Sequence, residues 1–370
     1  MAPDDNYTHG HHASVLRSHS MRTVENSAGY LIPHLTPGAG VLDLGCGPGT
    51  ITFGMAERVA PGPVVGIDRA ADMLDAAGAA ARDKGLTNLS FRVGDAYALD
   101  VPDDTFDVVH AHQVLQHLTD PVAALVEMRR VCRPGGVVAV RDADYAAMTW
   151  HPADPALDRW LEVYHRVARH NGAEPDAGRR LKSWVRAAGF GELTCTASAW
   201  CFASADERAW WAGTWAQRVT ESALADQAIA AGISTPAELA ELAAGWRRWA
   251  DEPDAWFAVL NAEVVAVTPR PRVAPAGPIA TPRPDRTVRD SRMSSVAPAT
   301  VRRRSRPGSR RPSTGSRPPD RRGAVEACAE VSGTRPAAAA GRCRWGWARA
   351  GRRDSRTRAG VCRSGRSRPP

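Results

Sequence analysis

The sequence predicts an α/β fold, a mostly parallel β-sheet with helices on both faces. From Val41 to Arg141 short apolar runs alternate with amphipathic segments, the pattern of buried strands joined by crossover helices. One run, Val41-Leu42-Asp43-Leu44, leads directly into the alternating glycines Gly45, Gly47 and Gly49, as when a strand turns sharply to let a ligand approach bare backbone. Near residue 269 the composition breaks, and apolar periodicity gives way to Arg, Pro, Ser, Gly and Ala.

Taken in order, strands are expected at Val41–Leu44, Val64–Ile67, Leu89–Val93, Phe106–Ala111 and Val137–Arg141. A helix from Ala70 to Lys84 stops at Gly85, a natural C′ residue, and Thr119-Asp120-Pro121 supplies a cap and first-turn proline for a helix reaching Cys132. Residues 150–187 read as helical, Leu193–Phe202 as a strand, Asp206–Asp251 as helix again and Trp256–Val267 as a final strand. Right-handed crossovers place the carboxyl ends of the parallel strands along one rim, where ligands bind. Gly45, Asp68, Asp95 and His112 are therefore expected to converge there.

The loop chemistry narrows the ligand. A dinucleotide site asks for G-x-G-x-x-G with free amides around a pyrophosphate, whereas this chain reads G-x-G-x-G. Pro48 removes an amide donor and Asp43 sets a carboxylate before the loop, so a phosphate is repelled and a cation favoured. The second strand ends at Asp68, whose carboxylate can accept hydrogen bonds from a ribose diol. A ribose joined to a cationic amino-acid tail describes S-adenosyl-L-methionine, with S-adenosyl-L-homocysteine as its demethylated product.

These residues carry a resemblance. VLDLGCGPGT, the acid of VVGID, Gly94-Asp95-Ala96, FDVVHAHQVLQHLTDP and CRPGGVVAV are together similar to the successive motifs of class I S-adenosylmethionine-dependent methyltransferases. Within these the chain most resembles the small-molecule group that includes ubiquinone- and menaquinone-biosynthesis enzymes. The resemblance covers roughly residues 20–200, with the last strand pair reaching about residue 268. It implies a Rossmann-like, seven-stranded sheet whose last two strands form an antiparallel edge pair, with a helical cap over the acceptor. The domains then run as an N-terminal arm and cofactor-covering helix (1–36), the methyltransferase domain (37–268, cap at about 150–187 and 204–252) and the tail (269–370).

The same resemblance implies site roles. Asp43, Gly45, Gly47 and Gly49 serve the methionine end, Asp68 the ribose, Met73 an adenine face, and Asp95 with the amide of Ala96 the adenine edge. His112 or Gln113 line the methionine moiety, and Tyr7 and Arg22 close over its carboxylate. Met73 and Arg22 also fit plain packing and an exposed helical arginine. Transfer from a sulfonium needs alignment and exclusion of water more than reacting side chains. His110, His112 and His117 surround the fourth strand as candidate bases, His117 resembling a structural histidine of relatives. Asp142, Asp144 and Tyr145 follow the fifth strand, and Asp144 with His112 is the preferred catalytic pair.

The methyl acceptor is expected to be a small molecule. Eight tryptophans (Trp184, Trp200, Trp210, Trp211, Trp215, Trp246, Trp249 and Trp256) crowd the later region, which suits either a pocket for a flat aromatic or polyketide-like compound or ordinary helix packing. Residues 270–370 hold 26 arginines, no lysine and six acids, a net charge of +20 against +8 for the whole chain, so the first 269 residues carry −12. An acidic body argues against a nucleic-acid substrate, leaving nucleic acid to the tail alone. The tail is expected to be disordered and reads as an out-of-frame extension of a GC-rich gene, an arm for acidic surfaces, or a solvated appendage.

The alternatives are a nucleic-acid-associated methyltransferase, a binding protein working through that tail, and a nicotinamide dehydrogenase, which the loop spacing disfavours. No Asn/Asp-Pro-Pro-Tyr/Phe loop follows the fourth strand, where His112-Gln113-Val114-Leu115 stands. No apolar stretch nears the roughly 18 residues of a membrane helix and no signal peptide is apparent, so a soluble cytoplasmic protein is expected. Cys46, Cys132, Cys195 and Cys201 read as reduced packing residues, and His9, His11 and His12 as a flexible arm without a metal.

Overall fold

The computed structural model describes Thr8 and residues 13–270; Tyr7, His9, His11, His12 and the tail beyond residue 270 lie outside the described residues. Two short helices, α1 (Ala13–Ser20) and α2 (Val24–Ser27), precede the sheet. The chain then alternates β1 (Val41–Leu44), α3 (Thr50–Val59), β2 (Val64–Asp68), α4 (Ala71–Asp83), β3 (Leu89–Val93), β4 (Phe106–His112), α5 (Pro121–Val131) and β5 (Cys132–Ala143). There follow β6 (Thr149–His151), α6 (Pro155–His170), α7 (Leu181–Ala187), β7 (Leu193–Phe202), α8 (Ala205–Glu221), α9 (Ala223–Ala230), α10 (Pro236–Asp251) and β8 (Trp256–Val267).

The strands order as β3-β2-β1-β4-β5-β8, with β7 on the far side of β8. β1 to β5 pair in parallel, while β8 runs antiparallel to both β5 and β7. This is the Rossmann-like mixed sheet that the strand pattern and the resemblance imply. Its strand count differs from the expected seven. Within the segment read as helical from residue 150, Thr149–His151 forms an eighth strand pairing with Trp256–Ala258 of β8. Three residues are too few to show a period of two.

Alternation along the strands sorts side chains to two faces. Val41, Val64, Val108 and Val137 join a core with Leu31 and with Ile51, Met55 and Val59 of α3. Their neighbours Leu42, Val65, Val109 and Val138 join a second core with Leu125 and Met128 of α5 and Leu181 and Val185 of α7. Local signals act as expected: Asp120 caps α5 by accepting the Ala123 amide at 3.0 Å, and Gly85 follows α4 at φ +71°. The stretch read as helical from Asp206 to Asp251 divides into three helices. Ser222 breaks it by capping α9, and Thr235-Pro236 restarts it at α10.

A third core joins α6, α8, α9 and α10 to the β8 end of the sheet. Trp160, Trp215, Trp246 and Trp249 are fully buried in it. Trp160 meets Trp215 and Trp246 edge-on, with ring centroids 4.5 and 4.9 Å away, the geometry that aromatic quadrupoles favour.

Candidate active site

β1 ends in a bend whose three glycines all take positive φ: +67° at Gly45, +53° at Gly47 and +78° at Gly49. They are glycines for different reasons. A Cβ on Gly45 would overlap Val114, and one on Gly49 would come within 2.8 Å of Phe91. Around Gly47 the nearest atom to an added Cβ is His19 Nδ1 at 3.8 Å, so a methyl group there meets no clash, and the residue lines the cavity. Its amide donates to Asp68 Oδ2 at 2.9 Å, while Asp68 Oδ1 accepts the Ala70 amide at 3.1 Å. These bonds fix Asp68 at the rim, and each oxygen keeps acceptor capacity.

Asp43 lies beneath the bend, 2% exposed. One of its oxygens is 2.8 Å from His110 Nδ1 and the other accepts from Thr52 Oγ1 at 2.6 Å. Beyond β4, Gln113 adopts φ +53°, uncommon for a side-chain-bearing residue and frequent at functional sites. Its amide donates to the Arg141 carbonyl at 2.7 Å. Its side chain accepts from Arg22 Nη2 at 2.6 Å and donates to Asn261 Oδ1 at 3.2 Å. Arg22 also sits 5.6 Å from the ring centroid of Trp200.

These groups surround one cavity of about 550 Å³. Of the residues the sequence singled out, Arg22, Asp43, Gly45, Gly47, Asp68, Met73, Asp95, Ala96, His112 and Gln113 all line it. Gly49 does not, serving instead as the left-handed N-cap of α3. The expected pair of His112 and Asp144 is not formed. Asp144 is absent from the cavity wall, and Arg179 grips it through Nε at 2.8 Å, Nη2 at 2.5 Å and its backbone amide at 2.9 Å. The strand end delivered Asp144 to the rim, but an arginine 35 residues downstream claimed it.

Two of the histidines, His112 and His117, resist protonation. Burial, reinforced by Arg22 and Arg141, drives His112 well below its ordinary range. Burial with Arg22 and Arg218 pushes His117 down to about 3. Asp142, fully buried on β5, is pushed up to about 8 by burial, and it too lies outside the cavity wall.

The far wall is formed by Tyr145, Met148, Trp200, Trp211, Trp215 and Arg218; sequence reasoning set Tyr145 after the fifth strand and missed Met148 and Arg218. The tryptophan-rich composition was visible, but it did not say which rings would face the cavity. Trp246 and Trp249 pack in the core shared by α6, α8, α9 and α10, and Trp256 is partly exposed. Arg218 carried no motif at all.

A bare glycine bend at the carboxyl end of β1, an acid closing β2, and Asp95 and Ala96 after β3 define a nucleoside-binding α/β enzyme. The Gly47 peptide on the cavity wall, the acids at the rim and Arg22 suit an amino-acid nucleoside. A family profile described as a methyltransferase domain matches residues 35–189. An uncharacterized methyltransferase of Schizosaccharomyces pombe is 36% identical over 268 residues, covering 70% of this chain and 95% of the relative. "Probable methyltransferase ltbC" of Aspergillus luteorubrus is 31% identical over 279 residues, covering 71% and 97%. A demethylmenaquinone methyltransferase of Lactococcus lactis is 35% identical over 130 residues, covering 35% of this chain and 49% of the relative. The chain belongs to the S-adenosylmethionine-dependent methyltransferases, and S-adenosyl-L-methionine is its cofactor.

Proposed function

We propose that this methyltransferase acts on a small aromatic or quinone-like molecule bound in the same cavity as the cofactor. The observation that carries the reading is the continuity of that cavity. The glycine bend and the acids of β1 to β3 form one end, and Tyr145, Trp200, Trp211 and Trp215 the other. Flat apolar rings stack well on such a wall. The similarity to a demethylmenaquinone methyltransferase points the same way.

When bound, S-adenosyl-L-methionine supplies a methyl group activated on a sulfonium. Asp68, pre-set by the Gly47 and Ala70 amides, accepts from the ribose hydroxyls. Asp95 and the Ala96 amide meet the adenine edge, and Met73 lies against its face. Asp43 holds negative charge beneath the cationic amino-acid end, and Arg22, steadied by Gln113, serves the carboxylate. The chain's contribution to the chemistry is alignment and exclusion of water.

Calorimetry with S-adenosylhomocysteine tests the assignment on the intact chain, a version ending at Thr268, and Asp68→Ala. The first two should bind alike and the third far more weakly, because the ribose loses its acceptor. Equal binding by all three removes the cofactor roles. Product analysis with candidate phenols and quinones then tests the acceptor, and turnover of none of them removes the aromatic reading.

A further inference from the structure

We propose that His110 is a positioning residue for the cofactor. Together with Thr52 it clamps Asp43 as a fixed, ionised carboxylate beneath the glycine bend, and so sets how tightly the ammonium of the amino-acid end is held. This rests on the cofactor roles given above and adds to them a residue that acts without touching the ligand.

The clamp is built from the sheet register. β1 and β4 run in parallel with Asp43 directly opposite His110. Two residues earlier on the same strands, Val41 and Val108 join the core that α3 covers, so Asp43 and His110 share that face. There His110 Nδ1 lies 2.8 Å from Asp43 Oδ1, and Thr52 Oγ1, from the first turn of α3, donates to Oδ2 at 2.6 Å. His110 and Thr52 are fully buried. Asp43 lines the cavity and His110 does not. His110 therefore cannot meet a methyl acceptor as the base that its place in the sequence allows, and its reach ends at Asp43.

A carboxylate only accepts, so the hydrogen of the pair sits on Nδ1. Nε2 is buried and has no hydrogen-bond partner among the described residues, so a second hydrogen there would be an unmatched donor in the interior. The ring is thus a one-sided donor that steadies the charge of Asp43 without cancelling it. An apolar residue at position 110 would continue the row of Val41 and Val108, but it would leave Asp43 with Thr52 alone. A carboxylate so nearly buried is costly to keep ionised without donors. Charge-assisted bonds at both oxygens hold its charge and its aim. Each oxygen keeps a lone pair for a cation in the cavity.

A pair of ligands tests this. S-Adenosylhomocysteine carries the amino-acid end, and 5′-methylthioadenosine has the same adenine, ribose and thioether without it. In calorimetry on the full chain, His110→Leu should weaken S-adenosylhomocysteine binding by about tenfold or more, the loss of a bond to a charged group. Binding of 5′-methylthioadenosine should stay within about twofold of the parent's, which also marks the variant as folded. His110→Asn, which keeps a short donor, should recover part of the loss. Thr52→Val, nearly the same shape, removes the other donor and should shift the ratio of the two affinities in the same direction, whether or not the His110 variants fold. In an Asp43→Asn background, His110→Leu should add less than about twofold. Equal weakening of both ligands makes His110 a packing residue and overturns the proposal, as does an undiminished effect in the Asp43→Asn background. An Asp43→Asn chain that binds S-adenosylhomocysteine as the parent does removes the role given to Asp43 and this proposal with it. Failure of the intact chain to bind either ligand overturns the cofactor roles themselves.

Discussion

At the β1–β3 end of the cavity the wall is main chain and short acids; at the α8 end it is tryptophan rings and a buried arginine. The first end is set by backbone torsions that only glycine adopts cheaply and by the strand order that lines up Gly45, Asp68 and Asp95. The second is set by how four helices pack around Trp160 and Trp215. One end is specified by a conformation, the other by the volume of its core. The two should fail differently when perturbed.

The harshest test of that contrast is Trp160→Ala. Trp160 touches both Trp215, a cavity residue, and Trp246 of α10, and is fully buried. Its loss should cost about 3–5 kcal/mol of unfolding free energy in a urea titration. Protein still folded in buffer should retain its S-adenosylhomocysteine affinity by calorimetry. A parallel loss of cofactor affinity would show that the two ends are not separately specified.

This contrast also explains what was legible in the sequence. The bounds of β1, β3, β7 and β8 follow from apolar runs between turn residues, and ten of the residues singled out meet in one cavity because the strand order requires it. Asp144 could not be read, since its fate depended on Arg179 folding back from a turn far along the chain. Nor could Arg218, whose place depends on α8 packing beside α1, where its Nη2 donates to Ser18 Oγ. β6 was hidden for another reason, as its three residues owe their pairing to β8 rather than to local preference.

Asp142 lies on β5 beside the β4 rim, where its Oδ1 accepts the Gln116 amide at 3.2 Å and its Oδ2 is buried without a partner. Its carboxyl is raised to about 8 in the folded chain, so the native state holds a proton that the unfolded chain releases near pH 4. The stability it leaves intact below pH 4 is therefore lost progressively as pH rises towards 8. Asp142→Asn should raise unfolding free energy at pH 8 by about 1–3 kcal/mol and change it little at pH 4, as denaturant midpoints at the two pH values will read. A gain of equal size at both would mean that the benefit is packing and not the proton.

The glycine bend can be dissected at one position. Gly47→Ala meets no neighbour within 3.5 Å but must hold φ +53°, a strain of about 1–2 kcal/mol. It also places a methyl group on the peptide that faces the ligand. The strain should lower the unfolding free energy without ligand by about that amount, and the added methyl group should weaken S-adenosylhomocysteine binding by about tenfold as well. Unchanged affinity would show that the bare backbone at Gly47 is not a ligand surface.

The mildest perturbation falls on the other end. Ser204 caps α8, accepting the Glu207 amide at 3.3 Å while Glu207 reaches back to the Ser204 amide at 2.9 Å. That reciprocal pair satisfies two backbone donors at the start of the helix carrying Trp211, Trp215 and Arg218. Ser204→Ala should cost about 1 kcal/mol and speed amide exchange in the first turn of α8, measured by mass spectrometry. Because the glycine bend takes nothing from α8, S-adenosylhomocysteine should bind as before, while an aromatic probe leaning on Trp211 should bind more weakly. If cofactor and probe affinity fell together, α8 would be shaping the nucleoside end as well, and the division of labour between backbone and packing would have to be abandoned.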